Sequence, residues 1–141
     1  MSGPLSGVRV LDLTAVVSGP YATMFLADQG ADVLKIEPIG GDGTRRSRTL
    51  IDAAGEFSAL FVSCNRGKRS LSIDIKSEAG REVLAKLASQ ADVLVQNLKP
   101  GSMDKLGFTR ERLRKDYPGL IICTISGYGD DPQPPGPYRD K

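Results

Sequence analysis

The chain has 141 residues, 40% of them hydrophobic, and a net charge of +2, which suits one domain, or part of one, with a packed core. So mild a charge argues against general nucleic-acid binding, because proteins that bind nucleic acids usually carry a one-sided excess of Lys and Arg. The sequence contains no histidine, so it holds no Ser-His-Asp triad, Cys-His dyad, HExxH zinc site or His general base.

The first 37 residues read as strand, crossover helix, strand. Val8–Leu13 and Asp32–Ile36 are short apolar runs. Between them, Ser18 can cap a helix whose first turn contains Pro20, and Gly30 suits the C-terminal cap of that helix. Parallel α/β sheets bind ligands at the carboxyl ends of their strands, so this unit predicts where a ligand lies. The apolar face predicted to pack on the sheet is Ala22, Phe25 and Leu26.

A long polar loop is predicted to follow the second strand, from Glu37 to Gly55, and a loop of that length is usually functional or mobile. Ser77 and Thr109 are predicted to cap two later helices. The apolar stripe of the first of these helices is predicted as Val83, Leu84 and Leu87. The later predicted elements are a short helix over Phe57–Val62, strands over Leu71–Ile75, Ala91–Val95 and Leu120–Ile125, and helices over Glu78–Ser89, Met103–Gly107 and Arg110–Asp116.

This order of elements predicts the α/β class. Right-handed crossovers give a Rossmann-like, mostly parallel sheet with helices on both faces. We expect residues 1–129 to form a partial Rossmann-like domain. Residues 130–141 contain four prolines and almost nothing apolar, and we interpret them as a Pro-rich linker or truncated tail.

Two segments that follow predicted strands contain glycine, but neither is a known phosphate-binding motif. The turn over residues 14–20 does not read GxGxxG, and residues 40–46, which are glycine-rich and basic, do not read GxxxxGK[ST]. A helix start can still hold a phosphate through its free amides and dipole. An ordinary capped helix and a solvated loop also explain these two segments.

Three further segments contain residues suited to a ligand. Residues 65–70 place three cations within four positions, and Arg and Lys side chains suit phosphate oxygens. The Asn97 amide follows a strand, where it could read a base, and the glycines of residues 126–129 allow close backbone approach. Each segment alone fits an ordinary turn. Because most of the segments follow strand ends, together they predict a site for an extended, multiply phosphorylated small molecule.

Neither the apolar runs nor the cysteines indicate an exported or membrane protein. No apolar run approaches the roughly 18 residues of a membrane span. The N-terminus lacks the basic start and apolar stretch of a signal peptide, so we expect a cytoplasmic protein with no membrane partner. Cys64 and Cys123 form no CxxC pair, and we expect reduced thiols in or near the core. Since the sequence also has no histidine, we expect no metal site.

An ordered series of short motifs runs through the chain: V-L-D-L-T, V-S-G-P-Y-A-T, L-A-D-Q-G-A-D-V-L-K-I-E-P, G-D-G-T-R, N-R-G-K-R-S-L-S-I-D-I-K, A-D-V-L-V-Q-N-L-K-P-G, L-G-F, I-S-G-Y-G and G-P-Y-R-D-K. This series resembles the N-terminal part of the family III CoA-transferases, which include formyl-CoA transferase, carnitine-type CoA-transferases and α-methylacyl-CoA racemase. Each piece is short, but the ordered set is specific and covers essentially the whole chain.

The resemblance implies a fold and an activity for a longer protein. Family members form an interlocked homodimer with a Rossmann-like large domain and a smaller second domain, so this chain is expected to be an incomplete large domain. They use coenzyme A or acyl-CoA as substrate, with no metal and no permanently bound cofactor. Transferase members move CoA between carboxylic acids through an aspartate that forms acyl-anhydride intermediates. The implied partners are a CoA thioester, a carboxylic acid and a second copy of the chain.

The resemblance also assigns CoA contacts within this chain. By analogy, the basic residues of the set hold phosphates and the segment at Asn97 lines the adenine pocket. The assigned contacts are Val17, Asn65, Arg66, Lys68, Arg69, Asn97, Leu98 and Lys105.

The sequence departs from the family pattern at two places. Many members carry Arg directly after the residue equivalent to Glu37, where this chain has Pro38. The catalytic aspartate of the family belongs to a P-x-Y-D-like motif just after G-P-Y-R-D-K, so it is expected beyond this chain, and Asp140 matches the loop that precedes it. No residue is therefore assigned a catalytic role.

The predicted function is the N-terminal portion of a CoA-transferase, which keeps part of the CoA site and lacks catalysis. Three alternatives stay open at this point. They are a non-catalytic module that binds CoA, another nucleotide or a partner, a fragment of an acyl-CoA racemase, and a structural remnant with no ligand.

Overall fold

The computed structural model describes residues 3–47, 58–127 and 129. Its strands are β1 Arg9–Leu13, β2 Asp32–Glu37, β3 Arg69–Ser72, β4 Val93–Gln96 and β5 Ile121–Thr124. They form one sheet in the order β3-β2-β1-β4-β5, and all of its strand pairs are parallel. The order reverses beside β1, so the loops after β1 and β4 form the switch point at which doubly wound sheets bind ligands. The predicted α/β class is confirmed.

Helices connect the strands in the described part of the chain. They are α1 Ser18–Asp28, α2 Ala59–Asn65, α3 Glu78–Ala88, α4 Ser102–Lys105 and α5 Arg110–Asp116, with a 3₁₀ helix at Gly43–Arg46. The 3₁₀ helix lies within the predicted polar loop, of which residues 48–55 are outside the described residues. Residues 130–141 are also outside them, so the proposed division of the chain at residue 129 stays a prediction.

Two predicted helix caps are confirmed. The hydroxyl of Ser77 accepts the N–H of Gly80 at 3.0 Å at the start of α3. The hydroxyl of Thr109 accepts the N–H of Arg112 at 3.2 Å at the start of α5. Each satisfies one of the N–H groups that the first turn of a helix leaves without a partner.

The start of α1 is built differently from the prediction. Ser18 is the first residue of the helix, and Val17 occupies the cap position without a side-chain hydrogen bond, so the prediction that Ser18 caps α1 is wrong. The turn before the helix is instead held by the side chain of Asn97, which lies in the loop after β4 and binds the backbone of Ala15. Gly30 follows the end of α1 with φ of 97°, a left-handed conformation that glycine adopts readily and that commonly ends a helix.

Strand β3 lies earlier in the chain than the predicted strand Leu71–Ile75. The register pairs Ser72 with Glu37, the last residue of β2. Pro38 then follows Glu37 and has no N–H to continue the ladder. Ile73 still donates its N–H to the carbonyl oxygen of Glu37 at 2.9 Å, after which the chain leaves the sheet.

Alternate strand residues supply two apolar clusters on opposite faces of the sheet. Helices therefore cover both faces, as predicted. The cluster on the side of α1 is Val10, Ala27, Ala31, Val33 and Val95. The cluster on the side of α3 and α5 is Leu11, Leu13, Ile36, Leu84, Ala88, Leu94, Met103, Phe108, Leu113 and Leu120.

The buried face of α1 matches the prediction only at Leu26, which is half-buried and packs on the cluster that contains Val10. Ala22 and Phe25 are exposed, and the Phe25 ring packs edge-to-face on Tyr21 at 4.9 Å between centroids. Thr23 faces the sheet, and its hydroxyl donates to the buried carboxylate of Asp12 in β1 at 2.7 Å. This contact fixes the rotation of the helix about its axis. The buried residues of α1 are Gly19, Pro20, Thr23, Met24 and Ala27.

Helix α3 packs on the sheet through positions four residues apart, Gly80, Leu84 and Ala88. A Cβ atom at Gly80 would overlap the carbonyl oxygen of Asp74 at 1.9 Å, so glycine allows this close approach. Leu84 is buried and Leu87 packs half-buried on the cluster to which Leu84 belongs, as predicted. Val83 is 38% exposed and does not belong to the buried stripe.

We predict that Leu84→Ala lowers the free energy of unfolding by about 2–5 kcal/mol, because the fully buried side chain leaves a cavity. Val83→Ala is the matched control on the same helix and should change it by about 0.5 kcal/mol. Urea unfolding followed by circular dichroism measures both. Equal losses would contradict the assigned packing face.

Candidate functional site

A pocket of about 500 Å³ opens at the carboxyl edge of the sheet. Its walls come from the ends of β1 and β2, the segment after β3 and the start of the loop after β4. Most of the lining is apolar, which is the usual character of small-molecule sites at this place in the fold. The apolar residues include Leu13, Ile36, Pro38, Ile39, Ile73 and Leu98.

Asn97 joins the two loops of the switch point. Its Oδ1 accepts the N–H of Ala15 at 2.8 Å, and its Nδ2 donates to the carbonyl oxygen of the same residue at 2.8 Å. The amide edge that was expected to read a base is therefore engaged by the backbone of Ala15. The next residue, Val16, has φ of 69°, which is rare for a β-branched residue.

Asp12 is a fully buried carboxylate in the central strand. Its Oδ1 accepts the N–H and the hydroxyl of Thr14. Its Oδ2 accepts the hydroxyl of Thr23 at 2.7 Å and the ammonium of Lys68 at 2.9 Å. Four donors thus compensate for the removal of this charge from water.

The side chain of Lys68 is as deeply buried as that of Asp12. Besides Asp12, its ammonium donates to the carbonyl oxygen of Pro20 at 2.8 Å and to Oδ1 of Asn65 at 2.9 Å. Burial lowers the pKa of Lys68, and the charge of Asp12 opposes this only in part. All three ammonium hydrogens have protein acceptors, so Lys68 holds the segment between α2 and β3 against β1 and α1.

A second buried cation, Lys35, connects β1 to the loop after β2. Its ammonium donates to the carbonyl oxygen of Thr14 at 2.7 Å. It also lies 3.0 Å from Oδ2 of Asp42, a contact with the distance of an ion pair but not the geometry of a hydrogen bond. Burial raises the pKa of Asp42, but hydrogen bonds from Thr44 and the charge of Lys35 outweigh it and lower that pKa.

Glu37, at the end of β2, holds the same loop through a bidentate ion pair. Arg45 donates Nε and Nη2 to its two carboxylate oxygens at 2.7 Å each, and the guanidinium lies 3.8 Å over the ring centroid of Phe61. Ser70 and the N–H of Asp42 also donate to Glu37. Burial alone raises the pKa of Glu37, but these donors outweigh it and lower the pKa from 4.5 to about 2.

Two of the predicted phosphate contacts lie away from the pocket. Arg66 forms an ion pair with Asp28, the last residue of α1, and Arg69 forms one with Asp32, the first residue of β2. Arg69 also begins β3, so both guanidinium groups lie toward the amino ends of the strands. Their assignment as CoA contacts stays a prediction.

The other assigned contacts have different surroundings. Leu98 lines the pocket, and Val17 and Asn97 lie in the two switch-point loops beside it. The amide of Asn65 makes hydrogen bonds within the protein. Lys105 is exposed at the last residue of α4.

The buried charges that surround this edge are not among the residues predicted from the sequence, although the sequence contains a signal for them. Asp12 and Lys35 each interrupt an apolar strand run, V-L-D-L and V-L-K-I. Strands of a parallel sheet that is covered on both faces are normally apolar throughout, and a buried charge has to be paired. A charged residue in such a run therefore indicates a buried ion pair, and this reasoning would have found both residues.

Cys64 and Cys123 are both free thiols. Cys64 is buried, as predicted, but Cys123 is exposed on β5, so the prediction of a position in or near the core is wrong for Cys123. The described part of the chain has no group of three or more His, Cys, Asp and Glu side chains that could hold a metal ion. Among the described residues there is also no helix long and apolar enough to cross a membrane.

Comparison with known proteins gives a match over most of the sequence. The model of CoA-transferase family III matches residues 5–141. Succinyl-CoA:mesaconate CoA-transferase of Haloarcula hispanica is 46% identical over 130 residues, which cover 91% of this chain and 33% of that protein. Formyl-CoA:oxalate CoA-transferase of Streptomyces avermitilis is 44% identical over 140 residues, which cover 99% of this chain and 32% of that protein. The chain thus spans about a third of the length of these relatives.

Solved structures agree with this match. Rv3272 of Mycobacterium tuberculosis superimposes with a TM-score of 0.89 at 36% identity, over 99% of this chain and 38% of that one. A CAIB/BAIF family protein from Brucella suis gives a TM-score of 0.88 at 41% identity, over 100% of this chain and 37% of that one. The sheet described above therefore corresponds to a part of these larger proteins.

We predict that acid destabilises the protein through protonation of Glu37. Because folding lowers its pKa from 4.5 to about 2, the ionised group contributes its full stabilisation above pH 4.5, and this contribution is lost as the pH falls through about 2. The contribution amounts to about 3 kcal/mol at neutral pH. Urea unfolding at a series of pH values measures it.

Glu37→Gln is the control, since the amide does not titrate. This variant should be less stable than wild type at pH 7, and the two stabilities should converge as the pH falls from 4.5 toward 2. A difference that is the same at every pH would contradict the prediction.

Proposed function

Because this chain belongs to CoA-transferase family III, we propose that it supplies the CoA-binding part of an enzyme that transfers coenzyme A between carboxylic acids. The proposal rests on the pocket at the carboxyl edge of the sheet, taken together with the family match over residues 5–141. In doubly wound sheets this edge is the usual position for a nucleotide. An acyl-CoA racemase is the alternative within the same family resemblance.

The lining of the pocket suits the adenine ring of CoA. Ile39, Ile73 and Leu98 offer apolar contact from three different segments, and burial of an aromatic ring against such side chains is a main source of affinity for small ligands. Pro38 continues this apolar wall where many family members carry arginine. Lys76 belongs to the same lining and is exposed, so its ammonium is available to a phosphate group at the rim.

The names of the relatives favour transfer over epimerisation. Mesaconate and oxalate, the free acids in the names of the relatives described above, each carry two carboxylates. We therefore propose a small dicarboxylic acid as one substrate of the whole enzyme, with a CoA thioester as the other and with no permanently bound cofactor. A CoA-transfer assay of the full-length protein with a panel of mono- and dicarboxylates tests this choice, and preference for monocarboxylates would contradict it.

The 141-residue chain itself is proposed to bind CoA without turnover, because the resemblance places the catalytic aspartate after its last residue. Transfer of CoA by the purified chain would contradict this part of the proposal.

A homodimer and a cytoplasmic location remain expectations from the sequence. Light scattering of the full-length protein tests the homodimer, and a monomer would contradict it. Fractionation of the source cells tests the location, and recovery of the protein outside the cytoplasm would contradict it.

We predict saturable CoA binding to the purified chain, measured by calorimetry at moderate salt. Ile39→Glu should weaken this binding at least about tenfold, because it places a negative charge in the apolar wall next to an anionic ligand. Ile39 is 72% exposed, so the substitution leaves the core intact.

Ile121→Glu is the matched control, since Ile121 is 63% exposed and lies on β5 outside the pocket lining. It should leave CoA affinity unchanged. No binding by the wild-type chain, or equal effects of the two variants, would contradict the proposed site.

The double variant Arg66→Ala, Arg69→Ala tests whether CoA affinity depends on the phosphate contacts that the resemblance assigns to these arginines, or on the pocket alone. Both arginines are held in ion pairs toward the amino ends of the strands, away from the pocket. We therefore expect a change in CoA affinity of about twofold or less. A loss of about tenfold would instead support their role as phosphate contacts. Lys68 is left unchanged, because its removal would leave Asp12 buried and unpaired.

A further inference from the structure

The two hydrogen bonds between Asn97 and Ala15 are an unusual connection between loops. They join residues 82 positions apart in the sequence. The side chain of Asn97 binds both backbone polar groups of Ala15, its N–H and its C=O. A single substitution at Asn97 therefore removes both contacts. The side-chain orientation is also determined, because only one assignment of the amide oxygen and nitrogen satisfies both.

The residue that follows this connection is strained. Val16 has φ of 69°, and in this region the branched side chain of valine crowds the backbone. Such a conformation persists only where surrounding contacts hold it. Val16 is 60% exposed, so burial of its own side chain does not hold it. Its two neighbours are held instead, Val17 by the N–H of Tyr21, which donates to its carbonyl oxygen at 2.8 Å, and Ala15 by the side chain of Asn97.

The same turn forms part of the pocket. Thr14 and Ala15 both belong to the lining, and Leu98 lines it from the other switch-point loop. The two loops that meet through Asn97 are thus two walls of one cavity. A shift of the turn toward an unstrained conformation at Val16 would move the backbone of Ala15 and change the shape of that cavity.

We propose that Asn97 is a positioning residue, which holds the turn between β1 and α1 against the strain at Val16 and thereby shapes the CoA pocket. This inference rests on the proposed function for its ligand, and it differs from the base contact that the sequence suggested for this amide. Asn97 acts through the backbone of Ala15 and makes no contact with the ligand in this role.

The test is a rescue experiment. Asn97→Ala should weaken CoA binding about tenfold and speed hydrogen exchange of the Ala15 amide, which loses its acceptor. Adding Val16→Gly should restore CoA affinity to within about threefold of wild type, because glycine adopts positive φ without strain and no longer needs to be held. Val16→Gly alone should bind CoA nearly as wild type does.

Val17→Gly is the matched control for the second substitution. Val17 is the neighbouring valine with a negative φ of −124°, so glycine there relieves no strain. Because Val17 is itself an assigned CoA contact, the double variant is compared with Val17→Gly alone, and Asn97→Ala should cost the same CoA affinity in that background as in wild type. Rescue by both glycines, or by neither, would overturn the inference. So would an unchanged CoA affinity in Asn97→Ala, or a loss of affinity without faster exchange at Ala15.

Two further measurements keep this inference separate from the proposed function. If Asn97→Ala alone fails to fold, recovery of its thermal unfolding midpoint by Val16→Gly, and not by Val17→Gly, reports the same coupling. If the wild-type chain binds no CoA, the proposed function is contradicted, while the unfolding midpoints and the exchange rate at Ala15 still decide the role of Asn97.

Discussion

The carboxylate of Asp12 is the constraint on which the arrangement of this edge depends. It lies in the central strand with no access to water, so the fold has to bring donors to it from elsewhere. Thr23 supplies one from α1, and Lys68 supplies one from the segment between α2 and β3. Removal of one partner of such a buried pair typically costs about 3–5 kcal/mol, because the other charge is left uncompensated. The rotation of α1 and the position of the segment before β3 are therefore both tied to a single buried charge.

The polar contacts continue from Asp12 across the sheet to the loop after β2. Thr14 donates to Asp12 and accepts from Lys35 through its carbonyl oxygen, and Lys35 in turn lies beside Asp42. Glu37 holds the same loop through Arg45. The loop is thus attached to the sheet at Asp42 and Arg45. Pro38 and Ile39, which lie between β2 and the first of these points, form its apolar wall of the pocket. Charged groups beneath the surface fix the position of a wall that is itself apolar.

Local sequence rules predicted much of the fold and less of the site. The caps at Ser77 and Thr109 could be predicted, because each depends on a hydroxyl and the next few N–H groups. The face of α1 could not, because the contact between Thr23 and Asp12 decides it across eleven positions of sequence. For the same reason the amide of Asn97 was interpreted as free for a ligand, although Ala15, far away in sequence, engages it. Spacing identifies residues that can bind a ligand, but only the fold determines whether protein groups already use them.

The buried lysines of this edge are already paired with carboxylates, which limits how the edge can recognise an anionic ligand. Lys35 and Lys68 are paired with carboxylates before any ligand arrives, so the interior of the edge contributes little net positive charge. Under the proposed function, the pocket would therefore recognise the ring of CoA through apolar contact. The phosphates would remain at the rim, where Lys76 is exposed and where salt screens charges most strongly. Pro38, which lines the pocket, stands where the family resemblance leads us to expect arginine, so under the proposed function we expect ring burial to contribute more, and charge less, to CoA affinity than an arginine at this position would allow.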